Sequence, residues 1–475
     1  MRKIIIAFMM ICAACMASAA NYLTFTAEED SSSFGIVNKD GNNPDVQYSL
    51  DGGETWTALA RGKTVTLAHK GDKALLKGNN PDGFSSSSNS LTYSKFRMKG
   101  KIAASGSVMS LIDGIGLSTE IPDGSSCFYG LFKGCTSLTQ APELPATALA
   151  SRCYESMFSD CTSLTRPPEL PATSLFYRCY ESMFSGCTSL TQAPELPAMR
   201  MAYHCYESMF SGCTSLTQAP ELPATTLNGY CYNSMFSGCT SLTQAPELPA
   251  TTMVEYCYGS MFSGCTSLTQ VPELLPAMLL AESCYESMFE GCTSLTRAPE
   301  LPATDLYRYS YRSMFSGCTN LSFILVSFHL WSSRETDSWV RDVASTGVFI
   351  CPKALPFRYE EDRIPEGWTV KYIEDITGYL TFTAEEDGST FGIVNIDNNP
   401  DVQYSLDDGV TWTALTEGDT VILVHKGDKT LLKGYNPQGF SKGNSYSSFT
   451  MTGKVAASGS VMSLIDEKNR SKNTL

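Results

Sequence analysis

A unit of 26 residues, present in eight copies, constrains the fold of this chain more than any other feature. Its constant part runs from Cys179 to Ala198 in the clearest copy, and the copies follow at steps of 26 residues, with one step of 27. The second cysteines of the copies are Cys135, Cys161, Cys187, Cys213, Cys239, Cys265, Cys292 and Cys318. A fixed period means that no unit can bury its apolar face alone, so stacked neighbours must complete the core. The sequence therefore predicts a repeat solenoid over residues 114–321.

Two apolar positions persist in every unit. One is phenylalanine, at Phe132, Phe158, Phe184, Phe210, Phe236, Phe262, Phe289 and Phe315; the other is leucine, at Leu138, Leu164, Leu190, Leu216, Leu242, Leu268, Leu295 and Leu321. Stacking at a fixed period brings equivalent residues together, so each position predicts an inward column.

The local pattern predicts a short helix and a short strand in each unit. Within Cys205–Phe210 the apolar residues lie at i, i+4 and i+5, which favours a helix, and Gly212 stands where a left-handed C-terminal cap belongs. The run from Leu216 to Ala219 favours a strand that Pro220 ends, because proline cannot donate to a strand ladder. We therefore expect very short, partly irregular parallel strands.

The run Met-Phe-Ser-Gly-Cys-Thr-Ser-Leu, seen at Met183–Leu190, resembles the BspA-like leucine-rich repeats of bacterial surface proteins. Those repeats carry Ala where this chain has Met, and Ile at the helix start where it has Cys. The resemblance covers Cys127 to Leu321 and implies an α+β leucine-rich-repeat-like solenoid that binds proteins in adhesion. Residues 322–378, which include Trp339 and Trp368, resemble the cap and linker that close such arrays.

Two copies of one β-domain flank the repeats, over residues 21–113 and 379–466. The run Tyr22–Asp30 recurs identically at Tyr379–Asp387. Alternating apolar and polar residues, as in Lys63–Leu67, favour half-buried strands, and about ninety residues suffice for a small all-β sandwich.

Each β-domain carries the pattern Ser-x-Asp-x-Gly-x-Thr-Trp. Its residues are Ser49, Asp51, Gly53, Thr55 and Trp56 in the first copy and Ser405, Asp407, Gly409, Thr411 and Trp412 in the second. The pattern resembles the Asp-box of sialidase propellers. That resemblance implies a structural role, in which the aspartate holds the backbone amides of a turn and the tryptophan packs beneath it.

The first twenty residues predict a cleaved signal peptide. Arg2 and Lys3 precede an apolar run that is too short to span a bilayer, and small residues precede Asn21. Lipoprotein acylation at Cys15 is the alternative. No other apolar stretch is long enough to cross a membrane, and residues 467–475 predict a polar tail. We therefore expect a secreted or cell-surface protein.

The sequence excludes several function classes. The 34 Lys and Arg residues against 49 Asp and Glu give a net charge of -15, which disfavours nucleic acid as a partner. No nucleophile elbow, phosphate-binding loop or His-Glu-x-x-His motif occurs, so we expect no enzyme and no cofactor. We also expect no metal site, because the cysteine spacing does not suit zinc and the row of glutamates at Glu195 lacks a calcium loop.

Fourteen cysteines form seven Cys-x7-Cys pairs, from Cys127 and Cys135 to Cys284 and Cys292. Along one helix such a pair would lie about 12 Å apart, beyond the roughly 4.4–6.8 Å between the α-carbons of a disulfide. Bridges therefore require the chain to fold back after the glycine. The other interpretation is two ladders of buried thiols that act as small apolar residues.

The residues just before each first cysteine differ between units and favour tyrosine and basic side chains. They are Tyr177, Arg178, Tyr203, His204, Tyr230, Tyr256, Arg308 and Tyr309, which we name the variable stripe. These residue types are enriched at the hot spots of protein interfaces. The sequence predicts an aromatic and basic stripe that binds a protein partner; the alternative is a loop that simply tolerates sequence drift. In the competing interpretation the β-domains bind glycans, through Tyr48, Trp56, Tyr404 and Trp412, and the repeats act as a spacer.

Overall fold

The computed structural model describes residues 20–38, 43–85, 93–122, 126–332, 334–373, 379–396, 400–436, 439–442, 445–459 and 461–464. The predicted tail lies outside these residues, as does the predicted signal peptide apart from Ala20. The chain divides into two compact regions. The first contains Met1–Phe323, Leu330–Gly347 and Phe357–Gly367, and the second contains Ile324–His329, Val348–Pro356 and Trp368–Leu475.

The first region begins with two small sheets that share one core. Its elements are β1 (Leu23–Ala27), β2 (Ser32–Asn38), β3 (Gln47–Ser49), β4 (Thr57–Ala58), β5 (Thr64–Leu67), β6 (Lys73–Lys77), β7 (Ser94–Lys99), β8 (Ile102–Ser105), the short helix α1 (Ser110–Asp113) and β9 (Leu138–Gln140). One sheet has the order β4-β3-β6-β1-β8-β9 and the other the order β5-β2-β7. Phe25 on β1 packs edge to face against Phe34 on β2 and Phe96 on β7, with ring centroids 5.1 Å apart in each case.

The larger of these sheets continues into the repeats. Strand β9 belongs to the first repeat and pairs in parallel with β8. The Phe96 ring stacks on Phe132, the first member of the phenylalanine column, at 5.3 Å. The N-terminal β-domain therefore covers the first open face of the repeat core.

The predicted phenylalanine and leucine columns are confirmed, since every member is buried. Successive phenylalanine rings stack at 5.4–5.8 Å from Phe132 to Phe315. A third column, which the sequence did not predict, consists of the tyrosines after the first cysteines, from Tyr154 to Tyr285, and of Tyr311, which follows Ser310. Their rings stack at 5.7–6.0 Å. The core is thus built from columns of identical rings.

The predicted helix over Cys205–Phe210 is wrong, because these residues form consecutive turns. Positive φ angles interrupt the chain at every fourth residue, at His204, Ser208 and Gly212. Amides that an α-helix would use internally bond to the next unit instead; the Tyr206 amide donates to the Cys231 carbonyl at 3.0 Å. The left-handed backbone predicted at Gly212 is confirmed, with a φ of 74°. Residues 126–332 contain no α-helix.

The predicted strand after each cysteine is confirmed as very short. Between most units it consists of isolated parallel bridges, such as Gln192 to Gln218 and Gln244 to Gln270. Pro220 and Pro223, which follow Gln218, limit the ladder because proline cannot donate to it.

The turns continue past the eighth cysteine-containing unit. The Phe315 amide donates to the Trp339 carbonyl at 2.8 Å, and Ser338 and Asp342 again have positive φ. Residues 336–340 therefore form turns rather than a helix, as in the repeats. Trp339 is fully buried against the Phe315 ring, at 6.1 Å, and ends the phenylalanine column.

Three strands follow, β10 (Phe323–Leu325), β11 (Val348–Cys351) and β12 (Thr369–Tyr372), which form a sheet in that order. Strands β11 and β12 pair in parallel.

The rest of the second region is the second β-domain. Its elements are β13 (Leu380–Ala384), β14 (Ser389–Ile396), β15 (Gln403–Ser405), β16 (Thr413–Ala414), β17 (Thr420–Leu423), β18 (Lys429–Lys433), β19 (Ser441–Lys442), β20 (Ser445–Thr452), β21 (Val455–Ser458) and a 3-10 turn (Val461–Leu464). The sheets have the orders β16-β15-β18-β13-β21 and β17-β14-β20-β19. Phe382 from one sheet and Phe391 from the other belong to one buried cluster.

All sixteen described cysteines are buried free thiols. From the second unit onward, the second cysteine points its sulfur at the phenylalanine carbonyl of the preceding unit; Cys213 Sγ lies 3.1 Å from the Phe184 oxygen. In the first unit Cys135 points at the Phe96 carbonyl of β7. Burial raises the pKa of the Cys213 thiol to about 12. The cysteines therefore form two ladders of buried thiols and not disulfide bridges.

Replacement of Phe210 by Ala should lower the free energy of unfolding by about 3–5 kcal/mol, because it opens a cavity in the stacked column. The exposed Phe176 offers a matched control, and its replacement by Ala should change the free energy by less than about 0.5 kcal/mol. Urea unfolding measures both. A loss below about 1 kcal/mol for Phe210→Ala would show that the column is not core.

Thiol titration tests the ladders. Under denaturing, non-reducing conditions a chain that begins at Asn21 should titrate as sixteen free thiols. In the folded chain the same thiols should react slowly, since burial hides them and keeps them protonated. Two or fewer free thiols after denaturation would contradict the ladders.

Candidate functional site

The variable stripe forms two neighbouring columns on the repeats. Tyr177 and Tyr203 are 42% and 46% exposed and belong to an outer column with Arg308. The inner column contains the residue before each first cysteine, which is partly buried; its predicted members are Arg178, His204, Tyr230, Tyr256 and Tyr309. The structure therefore brings the predicted residues into register.

The inner column has left-handed backbone at every member. The φ angles of His204, Tyr230 and Tyr256 are 61°, 60° and 52°. Such a conformation costs about 1–2 kcal/mol for a residue with a side chain. The Tyr230 amide donates to the Glu255 carbonyl of the next unit at 3.1 Å, and equivalent bonds recur along the column. These bonds hold each side chain at the same height in its unit.

The aromatic rings of the inner column stack on one another. His204 lies 4.6 Å from Tyr230, which in turn lies 4.7 Å from Tyr256, with nearly parallel planes. The Tyr177 ring meets His204 edge on at 5.7 Å. Because the ring faces cover each other, the inner column offers mainly ring edges to a partner.

The basic residues of the stripe are paired with carboxylates. Arg178 contacts Glu181 at 2.9 Å, and Arg308 contacts Glu282 at 3.5 Å. The arginine charges are thus compensated locally, so the stripe is aromatic but does not carry the free basic charge that the sequence analysis expected.

A column of carboxyl groups lies beside the inner column. Glu155, Glu181 and Glu207 follow at the repeat period. Burial and then the neighbouring Glu155 carboxylate raise the pKa of Glu181 above its ordinary value, although the paired Arg178 opposes the shift. Glu181 Oε2 is shielded from solvent and accepts no hydrogen bond.

Glu181, His204 and Glu207 converge, with one potential ligand atom from each residue within 4.8 Å of the others. His204 Nδ1 lies 2.5 Å from Glu207 Oε2. The sequence predicted no metal site, and of these three residues only His204 was among its candidate site residues. The available signal was a glutamate column at the repeat period with a single histidine three residues before one of its members.

The row of glutamates that includes Glu195 is exposed. Glu221 and Glu247 of that row line a groove of about 420 Å³ together with Pro220, Pro223 and Pro246. No histidine or cysteine joins them there, so the groove lining adds no further type of metal ligand.

The Ser-Asp-Gly-Thr-Trp loops are braced turns. Ser49 Oγ donates to Asp51 Oδ1 at 2.6 Å, and the Thr55 amide donates to the same carboxylate at 2.9 Å. Trp56 Nε1 donates to the Gly53 carbonyl at 3.1 Å. In the second copy the Ser405 hydroxyl and the Thr411 amide donate to Asp407 at 2.7 and 2.8 Å.

The tryptophans of these loops are already covered. Lys77 Nζ lies 4.1 Å from the Trp56 ring centre, and the Tyr22 ring meets Trp56 at 5.0 Å. In the second copy Lys433 Nζ lies 4.3 Å from the Trp412 ring, and Tyr379 lies 4.9 Å away. A sugar that stacked on either ring would have to displace these neighbours.

Residues 120–243 and 230–333 match the BspA type leucine rich repeat region, in six copies. A crystal structure of a leucine-rich repeat protein from Bacteroides ovatus ATCC 8483 is 17% identical over 70% of this chain and 100% of that chain, with a TM-score of 0.24. No curated protein matches the sequence. No helix among the described residues has the length and apolar character needed to cross a membrane.

Replacement of Asp51 by Asn should lower the melting temperature at pH 7 and lose that effect in acid. Hydrogen bonds from the Ser49 and Thr55 side chains and the Thr55 amide hold the pKa of Asp51 well below its ordinary value of 3.8. A lowered pKa stabilises the fold above the unfolded pKa, and the stabilisation is lost as the pH falls through the folded pKa. Thermal melts from pH 7 downwards should therefore show the two proteins converging below pH 3.8. A difference that stays constant into acid would contradict a role for the ionised carboxylate.

Proposed function

We propose that this chain, whose residues 120–333 match the BspA type leucine rich repeat region, is a secreted or cell-surface protein that binds a protein partner through its repeats. The observation that carries the proposal is the alignment of the variable stripe. Tyrosines from successive units stand in register, while the residues around them are nearly constant. The proposal that the protein is exported depends on the predicted signal peptide.

The chemistry of the stripe favours a protein over other partners. Tyrosine supplies a large contact area together with a hydroxyl group and dominates many interface hot spots. The arginines at the stripe are neutralised by glutamates, and the chain carries a net charge of -15, which opposes binding to a phosphate backbone. The protein acts by binding, with no catalytic step, in this proposal.

Glycan binding by the β-domains receives less support. Sugars stack on open tryptophan faces, whereas Trp56 and Trp412 each have a lysine over the ring. We therefore place the partner on the repeats and assign the β-domains a structural role.

A triple variant tests the stripe: Tyr203→Ser, Tyr230→Asn and Tyr256→Asn. Asparagine is chosen at the last two positions because it tolerates the left-handed backbone found there. Immobilised wild-type and variant chains would be compared in capture from host and bacterial surface extracts, and then in affinity for the captured protein. The variant should bind at least tenfold more weakly, a loss of about 1.4 kcal/mol.

Tyr435→Ser is the matched control, because Tyr435 is an exposed tyrosine of the second β-domain. It should bind like the wild type. Circular dichroism and thermal melts establish that the triple variant is folded. Equal affinity of wild type and folded triple variant would move the site away from the stripe.

A further inference from the structure

Two successive units contribute side chains to one compact group. Glu181 comes from one unit, and His204 and Glu207 come from the next, so the three are neighbours because the units stack. We propose that Glu181, His204 and Glu207 bind a divalent transition-metal cation of the Zn²⁺ class. The donor set, one imidazole nitrogen and two carboxylates, suits such ions.

The geometry needs only a small adjustment. The ligand atoms lie within 4.8 Å of one another, and a cation with bonds of about 2.1 Å needs them roughly 3–4 Å apart. The Tyr230 ring stacks on His204 and the Tyr177 edge contacts it, so the imidazole is held in place. Rotation of the glutamate side chains closes the gap to Glu181 and opens the contact between His204 Nδ1 and Glu207 Oε2, which at 2.5 Å is too short for two ligands of one cation.

Glu181 has an oxygen free for the cation. Its Oε1 is occupied by Arg178, but its Oε2 has no hydrogen-bond partner and no access to solvent. The whole side chain is only 15% exposed. An acceptor buried without a partner is costly, and a coordinated cation would remove that cost.

The neighbouring units show why the site is confined to this pair. Arginine stands at the histidine position in the two preceding units, where Arg152 pairs with Glu155 and Arg178 with Glu181. A guanidinium has no lone pair for a metal. In the following unit Tyr230 and Asn233 stand at the two positions. Only at His204 does a nitrogen ligand coincide with two carboxylates among the described residues.

The bound cation would cross-link two successive units within the variable stripe. Three protein ligands leave a coordination position for water or for an atom of another molecule. The inference is independent of the proposed function, because cation binding is measured on the chain alone.

Isothermal titration of the untagged, full mature chain with ZnCl₂ tests the site. One equivalent should bind to the wild type. His204→Arg should bind at least about tenfold more weakly, because a ligand is lost. This variant should fold, since Arg with Glu three residues later already occurs in two units. His69→Gln, at an exposed histidine of the first β-domain, is the control and should bind like the wild type.

Glu181→Gln and Glu207→Gln should each weaken binding as well, and Zn²⁺ should raise the melting temperature of the wild type but not of His204→Arg. Co²⁺ serves as a spectroscopic probe, because thiolate ligands would add an intense near-ultraviolet band that nitrogen and oxygen ligands lack. That band, unchanged affinity in His204→Arg or in Glu181→Gln, or no binding at millimolar Zn²⁺ would each overturn the proposal.

Discussion

The hydrogen bonds between backbone groups of successive units are the interaction on which the rest of the structure depends. In the turn segment, alternate amides donate across to the next unit, as Tyr206 does to Cys231, and the intervening amides close turns within the unit, as Met209 does to Tyr206. This pattern requires left-handed backbone at every fourth residue, as at His204 and Ser208. Each such residue costs about 1–2 kcal/mol, and the conformation persists because it leaves the amides paired.

The same register explains the composition of the core. Equivalent side chains lie directly above one another, so flat rings stack face to face in the Phe210 and Tyr206 columns. Cysteine fits between them because it is small, apolar and able to point its sulfur at a carbonyl, as Cys213 does at Phe184. An open end would expose a ring, and Phe96 and Trp339 cover the two ends of the phenylalanine column.

In our proposals, the protein partner and the cation bind at positions whose side chains are not fixed by the packing between units. A constant backbone presents the variable residues in straight columns, so single replacements change the surface without disturbing the core. Where arginine stands beside a glutamate the result is an ion pair, as for Arg178 and Glu181. Where histidine stands there, as at His204, two carboxylates and an imidazole meet. The stripe and the cation site thus arise from the same geometry.

The sequence was sufficient to predict the repeat period, the buried phenylalanine and leucine columns, the left-handed glycine and the short strands. Each of these features depends on the spacing of residues within or between nearly identical units. The helix over Cys205–Phe210 was wrong because apolar pairs spaced four residues apart suit both an α-helix and a series of four-residue turns. The turns form rather than the helix because the neighbouring unit supplies carbonyl groups that accept hydrogen bonds from these amides. The contact between Glu181 and His204, and the pairing of arginines with glutamates, could be seen only in the tertiary structure. Contacts between side chains of different units depend on how the units stack and not on the spacing within one unit.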